Sequence, residues 1–329
     1  MRTWSKKRIA ASVLLALAAL VVLLNWTWGR LPSEPERTGR MVQVGDTQVR
    51  VLESSRVRPG APVVLIHGLP GTAQDFEDVV PLLDDRRTIA YDRPGFGWSS
   101  GGYHRFSEQL TTLHTLLARL GAERPVLVGH SYGGTVALAY AARYPDDVRG
   151  VVLVDAAAGG QNSSAVERGQ ARLIQFLSWP VVQPLADLTF SQLLRTASAK
   201  QGDAAAFDPD DVDERHEQRL LATNMRHEDL DAFAGEVLES EGVVGDLNRR
   251  LPTIATPAVV IQGVDDQLVE PERGREIAAR LPNARLVMVS GGHMPTYLHP
   301  TRVAAAVREL LSRAGEPVPA RERARAAMR

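Results

Sequence analysis

The segment VLVGHSYGGT (126–135) runs from an apolar stretch through Gly129, His130, Ser131, Tyr132 and Gly133 into a helical pattern. Val126–Val128 has the length and β-branched character of a buried strand, and Gly133–Arg143 reads as a helix. A serine at the turn between them, with glycine two residues before and two after, has the spacing G-x-S-x-G. A strained strand-to-helix turn requires that spacing, because strand and helix approach closely and only small residues fit. The turn would lift the Ser131 hydroxyl above the sheet edge and aim the first helical amides at it.

Outward from this turn, apolar runs alternate with helical patterns. Val63–Ile66, Thr88–Tyr91 and Val151–Val154 read as strands, Gln74–Leu83 and Phe106–Leu120 as helices. Met41–Val44 and Gln48–Leu52, separated by Gly45 and Asp46, read as an opening hairpin. From about Ala158 to Pro252 the segment carries helices and loops without a clear buried strand, and its acidic patch 208–217 reads as a solvated helix start. The rhythm then resumes with strand Ala258–Ile261, helix Glu272–Leu281, strand Arg285–Val289 and helix Thr301–Arg313. The expected fold is α/β, with an eight-stranded, mostly parallel sheet covered by helices on both faces. The helical insertion after the sixth strand would overhang the carboxyl ends of the strands, where such sheets bind ligands.

The chain's 329 residues and 44% hydrophobic content suffice for a large core. A net charge of −1 and 5% aromatic residues give no sign of a nucleic-acid partner. With no cysteine there is neither a disulfide nor a thiol nucleophile. At the start, Arg2, Lys6, Lys7 and Arg8 precede an uncharged stretch, Ile9 to Trp28. At about 1.5 Å per residue this would cross a hydrocarbon core of roughly 30 Å. The basic flank would leave the N-terminus cytoplasmic and the remainder extracytoplasmic, with Trp26 and Trp28 at the far interface. The expected organisation is a membrane anchor (1–29), a stalk (30–40), a core in two parts (41–157 and 253–313), a helical cap (158–252) and a basic tail (314–329).

A serine nucleophile needs a base. Of the eight histidines, His293 lies in VSGGH (289–293), directly after the last strand. His130 adjoins the serine but should point away from it, and His299 reads as a helix start. The acid that orients the imidazole should come from a strand end. VVIQGVDD (259–266) offers Asp265 and Asp266, the sixth strand ends on Asp155, and Asp92 reads as a structural loop residue. Two backbone amides must face the developing oxyanion. Tyr132 supplies one, and Leu69 in HGLPG (67–71) is the expected second, with His67 bracing that loop.

HGLPG (67–71), DRPGFGWS (92–99), GHSYGG (129–134), GVDD (263–266) and GGH (291–293) together resemble the α/β-hydrolase superfamily, in its capped esterase, C–C hydrolase and epoxide-hydrolase-like branch. The likeness runs from about Val42 to Ser312. It implies the α/β-hydrolase fold, a Ser131–Asp266–His293 triad with Asp266 as the fourth residue of G-x-x-D, and no metal or cofactor. Relatives with an aspartate nucleophile are epoxide hydrolases or dehalogenases, so Ser131 implies acyl transfer on a small-molecule substrate, ester-like in the first place. Hydrolysis of a C–C, lactone or amide bond, or haloperoxidase-like perhydrolysis, would use the same triad, and a silent fold would act as a binding protein. Gln262 stands where many relatives carry Trp, Glu270 where they carry Pro and Leu298 where Glu is frequent, so no single subfamily is matched. In the cap, Phe176, Leu177, Trp179, Phe190, Leu193 and Leu194 could line an apolar pocket or pack the cap on the core.

Overall fold

A computed structural model describes residues 6–28, 31–54, 60–158, 165–189 and 191–313. Its centre is one eight-stranded sheet: β1 (Arg40–Val44), β2 (Thr47–Glu53), β3 (Val63–Ile66), β4 (Thr88–Tyr91), β5 (Val126–His130), β6 (Gly150–Val154), β7 (Ala258–Gly263) and β8 (Ala284–Val289). Their order across the sheet is β1-β2-β4-β3-β5-β6-β7-β8. The opening hairpin pairs antiparallel, and β2 joins β4 antiparallel; from β4 to β8 every pairing is parallel. Eight strands with this mixture were expected.

The helices are α1 (Lys6–Trp28), α2 (Phe106–Leu120), α3 (Tyr132–Arg143), α4 (Ala165–Leu177), α5 (Gln183–Thr189), α6 (Ser191–Phe207), α7 (Glu214–Thr223), α8 (His227–Arg250), α9 (Pro271–Arg280), α10 (Pro295–Leu298) and α11 (Pro300–Arg313). Side chains on a strand alternate between faces, and the core divides accordingly. Val64, Ile66, Leu127, Leu153 and Val260 pack with α2, α3 and α9 through Leu113, Leu117, Val136 and Ile277. Val63, Leu65, Val126, Val152 and Val259 face the other way, onto Val303, Val307 and Leu310 of α11. Helices α4 to α8 form the insertion between β6 and β7, the segment called the cap. Its acidic patch is a helix start, because Asp213 caps α7 by accepting from the amides of Arg215 and His216.

One expectation fails, and a second finds no support. The segment 74–83 is two short 3₁₀ turns, Ala73–Phe76 and Val80–Leu83, rather than one helix. Pro81 lies inside it, and a ring without an N–H cannot extend a helical ladder back to residue 77. The membrane-spanning segment also lacks support: among the described residues no helix is long and apolar enough to cross a membrane. The apolar stretch does form α1, but its last turns pack on the cap. Asn25 is buried there, donating to the Asp187 carbonyl at 2.9 Å and accepting from the Leu193 amide at 3.1 Å. The basic tail 314–329 and Phe190 lie outside the described residues. Of the other expected cap residues, Phe176, Trp179 and Leu194 are exposed and Leu177 and Leu193 half-buried.

Candidate active site

The parallel strands deliver the expected residues to one edge of the sheet. β5 ends at His130 and α3 begins at Tyr132, leaving Ser131 alone in the turn with φ 53° and ψ −121°. That positive φ is one a serine adopts only under strain. It is held by the Ser131 amide donating to the Val154 carbonyl at 2.8 Å, and by the Ser131 carbonyl accepting from the amides of Gly134 and Ala157. The flanking glycines are required by contact. A Cβ on Gly129 would lie 2.2 Å from the Gly133 carbonyl oxygen, and one on Gly133 2.2 Å from that of Ile66.

Ile66 pairs with Gly129, so the loop after β3 lies beside the turn. A Cβ on Gly68 would sit 3.2 Å from the Ser131 Cβ, which places the HGLPG backbone directly against the serine. Tyr132 is the first residue of α3, and first-turn amides have no acceptor within their helix. Tyr132 thus follows Ser131 directly, and the loop that carries Leu69 lies against the serine from a second segment. His67 braces the loop: its Nε2 accepts from the Arg93 amide at 2.8 Å and its Nδ1 lies 2.9 Å from the Gly68 carbonyl. Burial holds its pKa well below the ordinary value, aided by the charge of Arg93.

Arg93 itself, from DRPGFGWS, is fully buried. Its guanidinium donates to the carbonyls of His67 (3.2 Å) and Gly68 (2.8 Å), to Gln109 (3.0 Å) and to Glu236 of α8 (2.5 Å). The charge therefore ties the loop beside Ser131 to the cap. Asp92 is structural, as expected, accepting from Arg50 and from the amides of Ala73 and Trp98.

Asp266 and His293 come from the turns after β7 and β8. Both are buried, and His293 Nδ1 lies 2.7 Å from Asp266 Oδ2. Asp265 faces solvent, which settles which of the two adjacent carboxyls meets the imidazole. Asp266 Oδ1 accepts from the amides of Leu268 and Val269, and Oδ2 also accepts from Gln262 Nε2 at 3.2 Å. Gln262 was noted only as a departure, yet it holds the carboxylate; the signal was a polar residue within an otherwise apolar strand. Burial pushes the His293 pKa down, but the charge and hydrogen bond of Asp266 outweigh it and raise it above the ordinary value.

Asp155 is the third carboxyl at this edge. It has φ 43°, is fully buried, and accepts from the Gly263 amide at 2.8 Å. Burial and the neighbouring Asp266 raise its pKa well above the usual carboxylate range. Among the described residues, Asp155, Asp266 and His293 form the one group whose ligating atoms gather within 4.8 Å. The Asp266–His293 hydrogen bond already commits Nδ1 to the carboxylate, which leaves Nε2 as the imidazole's free base. His299 directly precedes α11, and its Nε2 lies 2.7 Å from the Ser290 carbonyl oxygen.

A family model described as alpha/beta hydrolase fold matches residues 61–300. The chain belongs to the α/β-hydrolase family. Lipase 1 of Psychrobacter immobilis is similar to it, 30% identical over 247 residues covering 72% of each chain. The fluoroacetate dehalogenase of a Burkholderia species is 28% identical over 301 residues, 86% of this chain and 97% of that one. Among solved structures, a thermophilic esterase from Thermogutta terrifontis shares the fold, with TM-score 0.63 and 23% identity, covering 84% of this chain and 99% of that one. Membership in this α/β-hydrolase family, with lipases among the relatives, supports hydrolase chemistry.

Proposed function

We propose that the protein is a serine hydrolase cleaving an ester-like bond of a small to medium apolar substrate. The observation that carries this reading is the buried Asp266–His293 pair at the same sheet edge as Ser131, a serine in a strained strand-to-helix turn. Asp266 fixes the imidazole with Nε2 available, and His293 takes the Ser131 proton as the alkoxide attacks a carbonyl carbon. The amides of Leu69 and Tyr132 hold the oxyanion, each worth ~3–4 kcal/mol of transition-state stabilisation. His293 then protonates the leaving alkoxide, and water, deprotonated by the same imidazole, releases the acid from the acyl-enzyme. No step calls for a metal or cofactor. A serine rather than an aspartate at 131 favours acyl transfer over displacement of a halide.

Labelling of the protein with a fluorophosphonate probe, alongside Ser131→Ala and His293→Ala, tests this reading. Labelling in the parent, absent in Ser131→Ala and much reduced in His293→Ala, is the expected result. A folded parent that takes no label refutes it.

The cellular position is a separate proposal, resting on Arg2, Lys6, Lys7 and Arg8 and on the exposed Val13, Leu14, Leu15, Leu17 and Leu20 of α1. The helix holds the chain at a membrane with its N-terminus cytoplasmic and the hydrolase domain extracytoplasmic. Release of the full chain by carbonate washing, or accessibility of the domain from the cytoplasm, would refute it.

A further inference from the structure

His130, beside the nucleophile, has no part in the proton transfers described above, yet it is 4% exposed and its ring lies against that of His293, centroids 5.0 Å apart. Its Nε2 is 2.7 Å from the His293 carbonyl oxygen. A carbonyl only accepts, so Nε2 carries the proton and Nδ1 is the bare nitrogen of a neutral ring. Burial, with the neighbouring His293, pushes the His130 pKa down to about 3, in keeping with that form. Nδ1 is buried and has no hydrogen-bond partner among the described residues. It faces the other loop of the site, since a Cβ on Gly68 would lie 3.1 Å from it. One ring therefore touches both the loop before Leu69 and the loop bearing His293.

The backbone of His293 is gripped at its other end as well: its amide donates to the Ala206 carbonyl of the cap at 2.7 Å. With the amide on the cap and the carbonyl on His130, the peptide units flanking His293 have fixed orientation, and Asp266 needs to set only the ring's rotation. The geometry points to His130 as a positioning residue that sets the backbone of His293 through the bond from its Nε2–H. The assignment rests on the reading of His293 as the general base, and the arrangement predicts what each replacement of His130 does. Phenylalanine keeps a ring of similar size but has no donor. Glutamine places an N–H donor at nearly the reach of Nε2. Asparagine keeps a donor but falls short of the carbonyl.

The test measures p-nitrophenyl butyrate hydrolysis and the NMR titration of His293 in the full chain, with the His293 signal assigned from His293→Ala. In His130→Phe, kcat falls roughly 10- to 100-fold, the scale of an ångström-sized misplacement of a catalytic group, with KM changed less than twofold. His130→Gln restores at least a third of the parent kcat, and His130→Asn behaves like His130→Phe. The His293 titration, raised in the parent by its alignment with Asp266, falls back towards the ordinary histidine value in His130→Phe and stays raised in His130→Gln. Parent-like kcat or an unmoved His293 titration in a folded His130→Phe overturns the assignment, as does glutamine no better than phenylalanine. If His130→Phe does not fold, His130→Asn is judged by the same two criteria. If the parent neither hydrolyses the ester nor takes a fluorophosphonate, the hydrolase reading fails, while the titration still decides the role of His130.

Discussion

Glu236→Leu should be strongly destabilising although it lies away from the reacting atoms. The Arg93 and Glu236 side chains are each 1% exposed and lie 2.5 Å apart, joining the loop beside Ser131 to the longest cap helix. Leucine leaves the guanidinium buried with Gln109 and two backbone carbonyls but no counter-charge. Removing one partner of a buried pair costs about 3–5 kcal/mol, because the remaining charge keeps its desolvation penalty and loses its compensation. At roughly 2–4 °C per kcal/mol for a domain of this size, Tm should fall by about 6–20 °C. Adding Arg93→Met removes the stranded charge, so the double variant should recover half or more of the loss. Urea unfolding of the parent, both single variants and the double variant gives the coupling directly. A Glu236→Leu cost under about 1 kcal/mol, or a double-variant loss equal to the sum of the singles, would refute the argument that charge desolvation dominates here.

The base must be neutral to accept the Ser131 proton, so kcat/KM should fall as pH drops through the His293 pKa, with the inflection above 6.5; an inflection below 6 would contradict the Asp266 pairing. Gln262→Leu removes one of the two side-chain donors on Asp266 Oδ2 and should lower kcat about 3- to 10-fold, by the ~1 kcal/mol typical of one hydrogen bond; steady-state kinetics would show it. Gly129→Ala places a methyl against the Gly133 carbonyl and should cost ~3 kcal/mol or more, read by thermal denaturation. At the cap–core junction, burial lowers the His216 pKa but Asp203 and Asp75 raise it overall, while burial pushes Asp75 up to about 6. A raised histidine stabilises fully below its unfolded pKa and loses that contribution as pH climbs through the folded value. The raised Asp75 likewise costs stability as pH rises from about 4 to above 6. The junction's contribution to Tm should therefore decline between pH 5 and 8, so the gap in Tm between the parent and His216→Phe should narrow as pH rises.

The elbow was legible because its constraint is local: a strained turn needs glycines at fixed offsets, and strand and helix on either side declare themselves by period. Family spacing selected Asp266, whereas the physical distinction from Asp265, burial against exposure, depends on how the turn after β7 folds. Pro81 is visible in the sequence, and its missing N–H divides 74–83 into two turns. The Arg93–Glu236 tie was beyond any local pattern, since it joins residues 143 positions apart. Asn25 misled for the same reason: in an apolar run it looks like an interruption, and only the cap supplies partners for its amide. The two roles of His130 and Gln262 depend on which loops the sheet order brings together, and periodicity carries no trace of that.

The cap carbonyls have a consequence for how this protein can be re-engineered. Ala206 accepts the His293 amide, and a Cβ on Gly292 would lie 2.3 Å from the Asp208 carbonyl oxygen. The insertion is thus built into the histidine loop at main-chain distance and is no interchangeable module. Chimaeras that import a foreign insertion between β6 and β7 would need to reproduce a carbonyl at that place, whatever side chains they carry. Libraries seeking new specificity should leave 206–208 fixed and vary the solvent-facing turns of α4 and α5, where diversity leaves the catalytic backbone untouched.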